Sequence, residues 1–141
     1  MIRVKSANWA EDEAAIKSVR IPVFVEEQQV PFEIDFDTHD ATAEHWLALD
    51  AKNQPVGTAQ MRADGHFGRM AVLKNHRHQG IGRLIMAAAI DYAVVSGMQK
   101  IHLYAQLTAL PFYQSAGFTA YGEVFLEAGM EHIAMLKQLS S

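Results

Sequence analysis

The residues best placed to do chemistry are Arg77, His78, Gln79, Gly80, Ile81, Gly82 and Arg83, which lie between a strand-like run and a long apolar helical pattern. The two glycines let the backbone turn tightly with no Cβ in the way. Several N–H groups can then face one anion at the positive end of the helix dipole. That arrangement suits phosphates. A P-loop would follow its glycines with Gly-Lys-Ser/Thr to hold a γ-phosphate and magnesium, whereas Gly82 is followed by Arg83 and Leu84. A dinucleotide fingerprint wants three glycines in the first βα unit, and here two glycines sit mid-chain. A tight strand-to-helix turn with no ligand is the plainer alternative.

Metal chemistry has weaker support. Asp35, Asp37, His39, Asp40 and His45 form an oxygen-rich cluster that lacks the Gly and terminal Glu of a calcium loop. His76 and His78 have no third ligand at helical or hairpin spacing. No functional metal is expected.

Composition bounds the context. A chain of 141 residues, 50% hydrophobic, reads as one globular domain over residues 1–141 with a real core. The absence of cysteine excludes a disulfide scaffold, a thiolate metal site and a cysteine nucleophile. The start, Met1 to Lys5, lacks the apolar run of a signal peptide, and no stretch approaches the roughly 20 apolar residues of a membrane span. A cytoplasmic protein without membrane partners is therefore expected. A formal net charge of -4 argues against a nucleic-acid surface.

Charge is unevenly spread. Ile21 to Ala51 holds no Lys or Arg but carries Glu26, Glu27, Glu33, Asp35, Asp37, Asp40, Glu44 and Asp50. Gly65 to Ile90 holds Arg69, Lys74, Arg77 and Arg83 with no acid, plus His66, His76 and His78. The basic window suits an anionic ligand. The acidic run either steers a cationic one or is simply a solvated face.

The elements that must hold these residues alternate between helix and strand. Glu11 to Val19 has helical spacing, and Val23 to Gln28 continues as a second helix after Pro22. His45 to Leu49 and Val56 to Met61 flank a turn-rich segment and read as a hairpin. Phe67 to Leu73 is a further strand. Gly82 to Ser96 places Leu84, Ile85, Ala88, Ala89, Tyr92 and Val95 on one helical face, with Gly97 closing the helix. Ile101 to Ala105 reads as a buried strand, Leu110 to Ser115 as a short helix ending at Gly117, and Glu131 to Leu136 as a last strand.

Two motifs in this order carry a family resemblance. Arg69-Met70-Ala71-Val72 followed by Arg77-His78-Gln79-Gly80-Ile81-Gly82 resembles the acyl-CoA motif of the GNAT superfamily of N-acetyltransferases. About 30 residues on, Phe112-Tyr113-Gln114-Ser115-Ala116-Gly117-Phe118 resembles that superfamily's second motif. Val23 to Gln28, Asp40 to His45 and Phe125 to His132 are similar to the ElaA/YjcF-like bacterial branch. The resemblance implies an α/β (α+β) fold: a central mixed, mostly antiparallel sheet with a splayed, bulged strand, flanked by helices.

It also implies an acetyl-CoA dependent N-acetyltransferase that moves the acetyl group to a primary amine by direct attack. The backbones of Met70 and Val72 would bind the pantetheine arm. Amides from His78, Gln79, Gly80, Ile81, Gly82 and Arg83 would hold the pyrophosphate, with Arg77 and Arg83 adding charge. Lys74 or His76 would reach the outer phosphate. Gln106, where many relatives have Asn, and Phe112 complete the expected cofactor set. Tyr113, a phenol with an ordinary pKa near 10, would protonate the departing thiolate, and the Val72 amide would serve the oxyanion. Glu26, Glu27, His132 and backbone-relayed water compete as general base. The acceptor would be a small-molecule or peptide amine, and the protein a monomer or homodimer. A noncatalytic acyl-CoA sensor or partner module is the alternative, disfavoured by the phenol at Tyr113.

Overall fold

The computed structural model describes residues 1–31 and 39–139. Strands β1 (Arg3–Ala7), β2 (Glu44–Leu49), β3 (Pro55–Met61) and β4 (Phe67–Val72) form one antiparallel sheet in that order. Strands β5 (Lys100–Gln106), β6 (Thr119–Glu127) and β7 (Met130–Gln138) form a second antiparallel sheet with β7 in the middle. The helices are α1 (Trp9–Arg20), which runs on as a π-helical segment (Ile21–Glu27), then α2 (Ile81–Val95) and α3 (Leu110–Ser115).

Helices cover both faces of the first sheet, which is why β2 is buried at every position but Glu44 and apolar from Trp46 to Leu49. Its Trp46 and Ala48 join the cluster that includes Ile81, Ile85 and Ala89 of α2, while Leu47 and Leu49 pack with Ile16 of α1. The expected hairpin is present as β2 and β3. Strands β1 and β6 had no sequence reading. β1 alternates charged Arg3 and Lys5 with Val4, and β6 is interrupted by a register shift between Tyr121 and Phe125 that breaks its period.

The expected apolar face of α2 needs correction. Ile81, Ile85, Met86, Ala89 and Ala93 are buried, whereas Leu84 is 46% and Val95 87% exposed. The helix is apolar on almost every side, so its sequence does not fix the phase of the buried stripe; contact with the sheet does. β5 also differs from a fully buried strand. Ile101, Leu103 and Ala105 face the core, but Tyr104 is exposed on the opposite face. Gly97 closes α2 as expected, at φ +79°, with Gly97 N–H donating to Val94 O and Met98 N–H to Ala93 O.

The bulge implied for the fourth strand is present. Thr58 lies opposite Ala71 and Gln60 opposite Gly68, so Arg69 and Met70 together face the single residue Ala59, with Arg69 at φ +52°. Beyond the bulge β4 diverges from β5. The two strands share one parallel bridge at their base, His66 with His102, and open into a V above it.

Close packing of α2 on the sheet depends on Gly57. A Cβ there would sit 3.0 Å from Ile85 Cδ1 and 3.1 Å from Ile81 Cγ2. Gly57→Val should therefore destabilise the fold by about 1–3 kcal/mol through overpacking, read as a lower urea midpoint with an unchanged slope.

Candidate functional site

The first turns of α1 and α2 are built for opposite purposes. α1 is capped internally: Asn8 accepts from Glu11 N–H, and Glu11 and Asp12 complement the dipole. α2 has no side-chain cap and no acid in its first turn, and instead carries the exposed Arg83 there. A basic residue at the positive end of a helix is unfavourable unless an anion joins it. The preceding loop reaches this position through two left-handed residues, His78 at φ +63° and Gly80 at φ +83°. Nothing lies within 4 Å of where a Gly80 Cβ would be, so the approach to these amides is open. Gly82 is small for another reason: its Cβ would lie 3.3 Å from the Phe112 ring. Phe112 therefore supports the α2 start from α3.

A cleft of about 440 Å³ fills the V between β4 and β5. Its walls include Met70 from the bulge, Leu103, Tyr104 and Gln106 from β5, Tyr113 from α3, Phe24 and Gln28 from the π segment, and Glu127 and His132 from the β6–β7 hairpin. The open edge of β4 faces it. Leu73 N–H bonds to Val56 O, so by the alternation of an antiparallel ladder the neighbouring Val72 N–H points away from β3, toward the V.

Four expected residues have different surroundings from those implied. Arg77 is engaged within the fold: its Nε donates to Val72 O at 2.9 Å, and its two terminal nitrogens reach Glu27 at 2.6 and 2.7 Å. Glu27, one of the possible bases, is thereby an ion-pair partner. The Arg77 hydrogen bond holds its carboxyl below the usual carboxylate range, and it does not line the cleft. The Val72 carbonyl, expected to be free for the pantetheine arm, is occupied by Arg77. Gln106 donates to Gln28 Oε1 at 3.2 Å across the cleft.

Tyr113 lines the cleft within an aromatic group, 5.1 Å from Phe112 and 5.9 Å from Phe118 between ring centroids. Desolvation pushes its phenol up to about 12. His132 is buried beside the cleft. Its Nδ1 lies 2.8 Å from Met130 O, and its Nε2 lies 3.6 Å from Glu127. An Nδ1–H donated to a carbonyl leaves Nε2 as the acceptor nitrogen.

His66, which the sequence places in the basic window without a site role, stands at the apex of the V. It makes T-shaped contacts with His102 at 4.9 Å and Tyr104 at 5.0 Å. Burial, with Arg62 and His102 nearby, pushes its imidazole down to about 4. The only sequence hint was its place beside Phe67 at a strand start, which says nothing of the parallel bridge.

The acidic run is largely spent within the fold. Glu27 pairs with Arg77, Asp40 with buried Arg20, and Glu44 with Ser6, while Asp50 accepts from Lys52 and Gln54 N–H. None of these lines the cleft. Glu33, Asp35 and Asp37 lie outside the described residues. Among the described residues no group of three or more His, Asp or Glu could hold a metal ion, and no helix is long and apolar enough to cross a membrane.

Residues 13–139 match the family model for the acetyltransferase (GNAT) domain. The chain belongs to the GNAT acetyltransferase family. It is 39% identical over 123 residues to the uncharacterized N-acetyltransferase YjcF of Bacillus subtilis, covering 84% of this chain and 87% of the relative. It is 31% identical over 133 residues to protein ElaA of Escherichia coli, covering 89% and 86%. The crystal structure of E. coli ElaA superposes with a TM-score of 0.86 at 28% identity, covering 98% of this chain and 100% of that one. An acyl-CoA N-acyltransferase from Pseudomonas aeruginosa superposes with a TM-score of 0.85 at 25% identity, covering 97% and 99%. This GNAT acetyltransferase is thus an enzyme of acyl transfer on the ElaA/YjcF-like branch.

The depressed imidazole of this acetyltransferase gives a pH signature. His66 is protonated near 6.5 when unfolded and near 4 when folded. Between those values the unfolded chain binds the extra proton, so stability falls as pH drops from 6.5 toward 4. The His66 ring proton resonance should titrate near 4, and His66→Phe should flatten the stability profile in that window.

Proposed function

We propose that the protein transfers an acetyl group from acetyl-CoA to a primary amine on a small molecule or peptide. The observation that carries this reading is the uncapped start of α2, with Arg83 in its first turn, opening beside a cleft that holds Tyr113. Amides of His78 to Arg83 hold the pyrophosphate, and Arg83 adds charge. The groove of about 220 Å³ between Arg83, Ile90 and Phe112 continues from that point toward the nucleotide end. The backbone of β4 at Met70 and Val72 lies alongside the pantetheine arm and delivers the thioester into the V.

There the neutral amine attacks the thioester carbon. The carbonyl oxygen gains negative charge and is met by the Val72 N–H. His132 Nε2 receives the proton the nitrogen sheds, a role its orientation supports better than that of ion-paired Glu27. As the C–S bond breaks, the Tyr113 hydroxyl donates a hydrogen bond to the sulfur. With its phenol near 12 against an alkyl thiol near 8.5, Tyr113 keeps its proton and steadies the departing thiolate through that hydrogen bond, and the thiolate then takes its proton from solvent. Its alkaline limb then lies near 12, above the region where amines titrate, rather than near 10.

The acceptor is an amine whose recognition comes from cleft walls of mixed character. Phe24, Tyr104 and Met130 are apolar, and Gln28, His132 and Glu127 polar. Steering of a cationic acceptor by the acidic run finds no support: Glu27, Asp40, Glu44 and Asp50 have partners elsewhere, and Glu26 does not line the cleft.

Calorimetry with acetyl-CoA and thiol release with an amine panel test the reading. Gly80→Val should weaken acetyl-CoA at least roughly tenfold by intruding on the pyrophosphate site, and should cost about 1–2 kcal/mol of stability at φ +83°. Unchanged affinity would overturn the cofactor assignment. Tyr113→Phe should lower turnover roughly 10²- to 10⁴-fold while leaving affinity intact. Wild-type turnover in that variant would make Tyr113 a packing residue.

A further inference from the structure

Adjacent residues at the end of the π segment touch both lips of the V. On the β4 side Glu27 receives two nitrogens of Arg77, whose third, Nε, donates to the carbonyl of Val72. On the β5 side Gln28 accepts from Gln106. The segment behind them is internally tied: Gln28 N–H donates to Val23 O at 3.0 Å and Val30 N–H to Phe24 O at 2.8 Å. Residues 23–30 thus behave as one unit, resting on β4 through Val23 and Ala71. That unit presents Phe24, Gln28 and Val30 to the cleft.

Above the single bridge between His66 and His102, the two strands have no pairing of their own to fix the width between them. The π segment supplies that link, and its anchor on the cofactor side is a side chain immediately ahead of the phosphate-binding amides. An exposed ion pair contributes little by itself. Here a planar guanidinium is held by two carboxylate oxygens and a backbone carbonyl at once, which fixes geometry as well as charge.

We propose that Glu27 is a positioning residue for the acceptor. Acting through Arg77, it holds the Phe24–Val30 wall in register with the cofactor loop, so that the occupied loop and the acceptor wall are coupled. Arg77 is the strut of this arrangement rather than a phosphate ligand. The inference rests on the acetyl-CoA reading above.

The test uses the full chain with two donors, acetyl-CoA and S-acetylpantetheine, which lacks the pyrophosphate. Amide hydrogen exchange across residues 23–30 is measured with and without acetyl-CoA, and thiol release with the best amine of the panel. In the wild type, acetyl-CoA should raise protection of 23–30, and Glu27→Ala should abolish that rise while binding acetyl-CoA within about threefold of wild type. Glu27→Ala should raise the amine KM roughly five- to tenfold, the usual size of a coupling between sites, with kcat little changed. Arg77→Ala should do the same with both donors. The conservative variant Glu27→Gln, whose amide oxygen can still accept from Arg77, should keep the amine KM closer to wild type than Glu27→Ala does.

Three results would overturn the proposal: an Arg77→Ala defect confined to acetyl-CoA, which makes Arg77 a phosphate ligand; a kcat loss at unchanged KM in Glu27→Ala, which makes Glu27 the base; or a protection rise that survives Glu27→Ala. A wild type that fails to bind acetyl-CoA would instead defeat the cofactor reading itself.

Discussion

Everything that makes this protein a catalyst follows from one refused pairing. β4 and β5 lie side by side and parallel, and in an uninterrupted sheet they would bond along their whole length. The extra residue at Arg69–Met70 twists β4 away after the single bridge between His66 and His102. The cost is a stretch of unpaired backbone on β4, which burial without a partner would make expensive. The protein keeps that edge accessible through the V, where a ligand chain can pair with it. The same divergence places Tyr113, His132 and Met70 around one space although they come from three different elements.

Electrostatics then sorts the two ends of that space. At one end the bare start of α2 gathers amide dipoles and Arg83, with no acid between Gly65 and Ile90 to oppose them. At the apex His66 is kept neutral, and on the α3 wall Tyr113 is kept protonated, both chiefly by desolvation. The walls at these two positions therefore disfavour added charge.

The helical side of the cleft is anchored by burial of charge rather than by apolar packing alone. Arg20 and Asp40, each 1% exposed, meet at 2.9 Å where α1 passes into the π segment, and His45 Nε2 bonds to Asp40 O at 2.8 Å. Removing one member of such a pair leaves a buried charge uncompensated, so the junction is strongly specified. The π geometry starts directly after it, at Ile21 and Pro22. Proline has no N–H to give to a regular helical ladder, which favours a change of winding at that point.

Local chemistry in the sequence determined the glycine turn into α2, the hairpin, the α2 cap at Gly97 and the α3 stop at Gly117, because each depends on residues within a turn or two of one another. Two motifs at the right distance also determined the family, and with it the bulged, splayed sheet. Contacts between distant segments were decided only by the tertiary structure. The phase of α2 was settled by Gly57 on β3, since the helix is apolar nearly all round. The pairing of Glu27 with Arg77, 50 residues apart, was settled by where the π segment crosses β4. His66 acquired its special environment from His102 and Tyr104 on another sheet. A carboxylate's neighbours set whether it is a base or a strut, and those neighbours come from chain folding across the cleft rather than from any spacing along the chain.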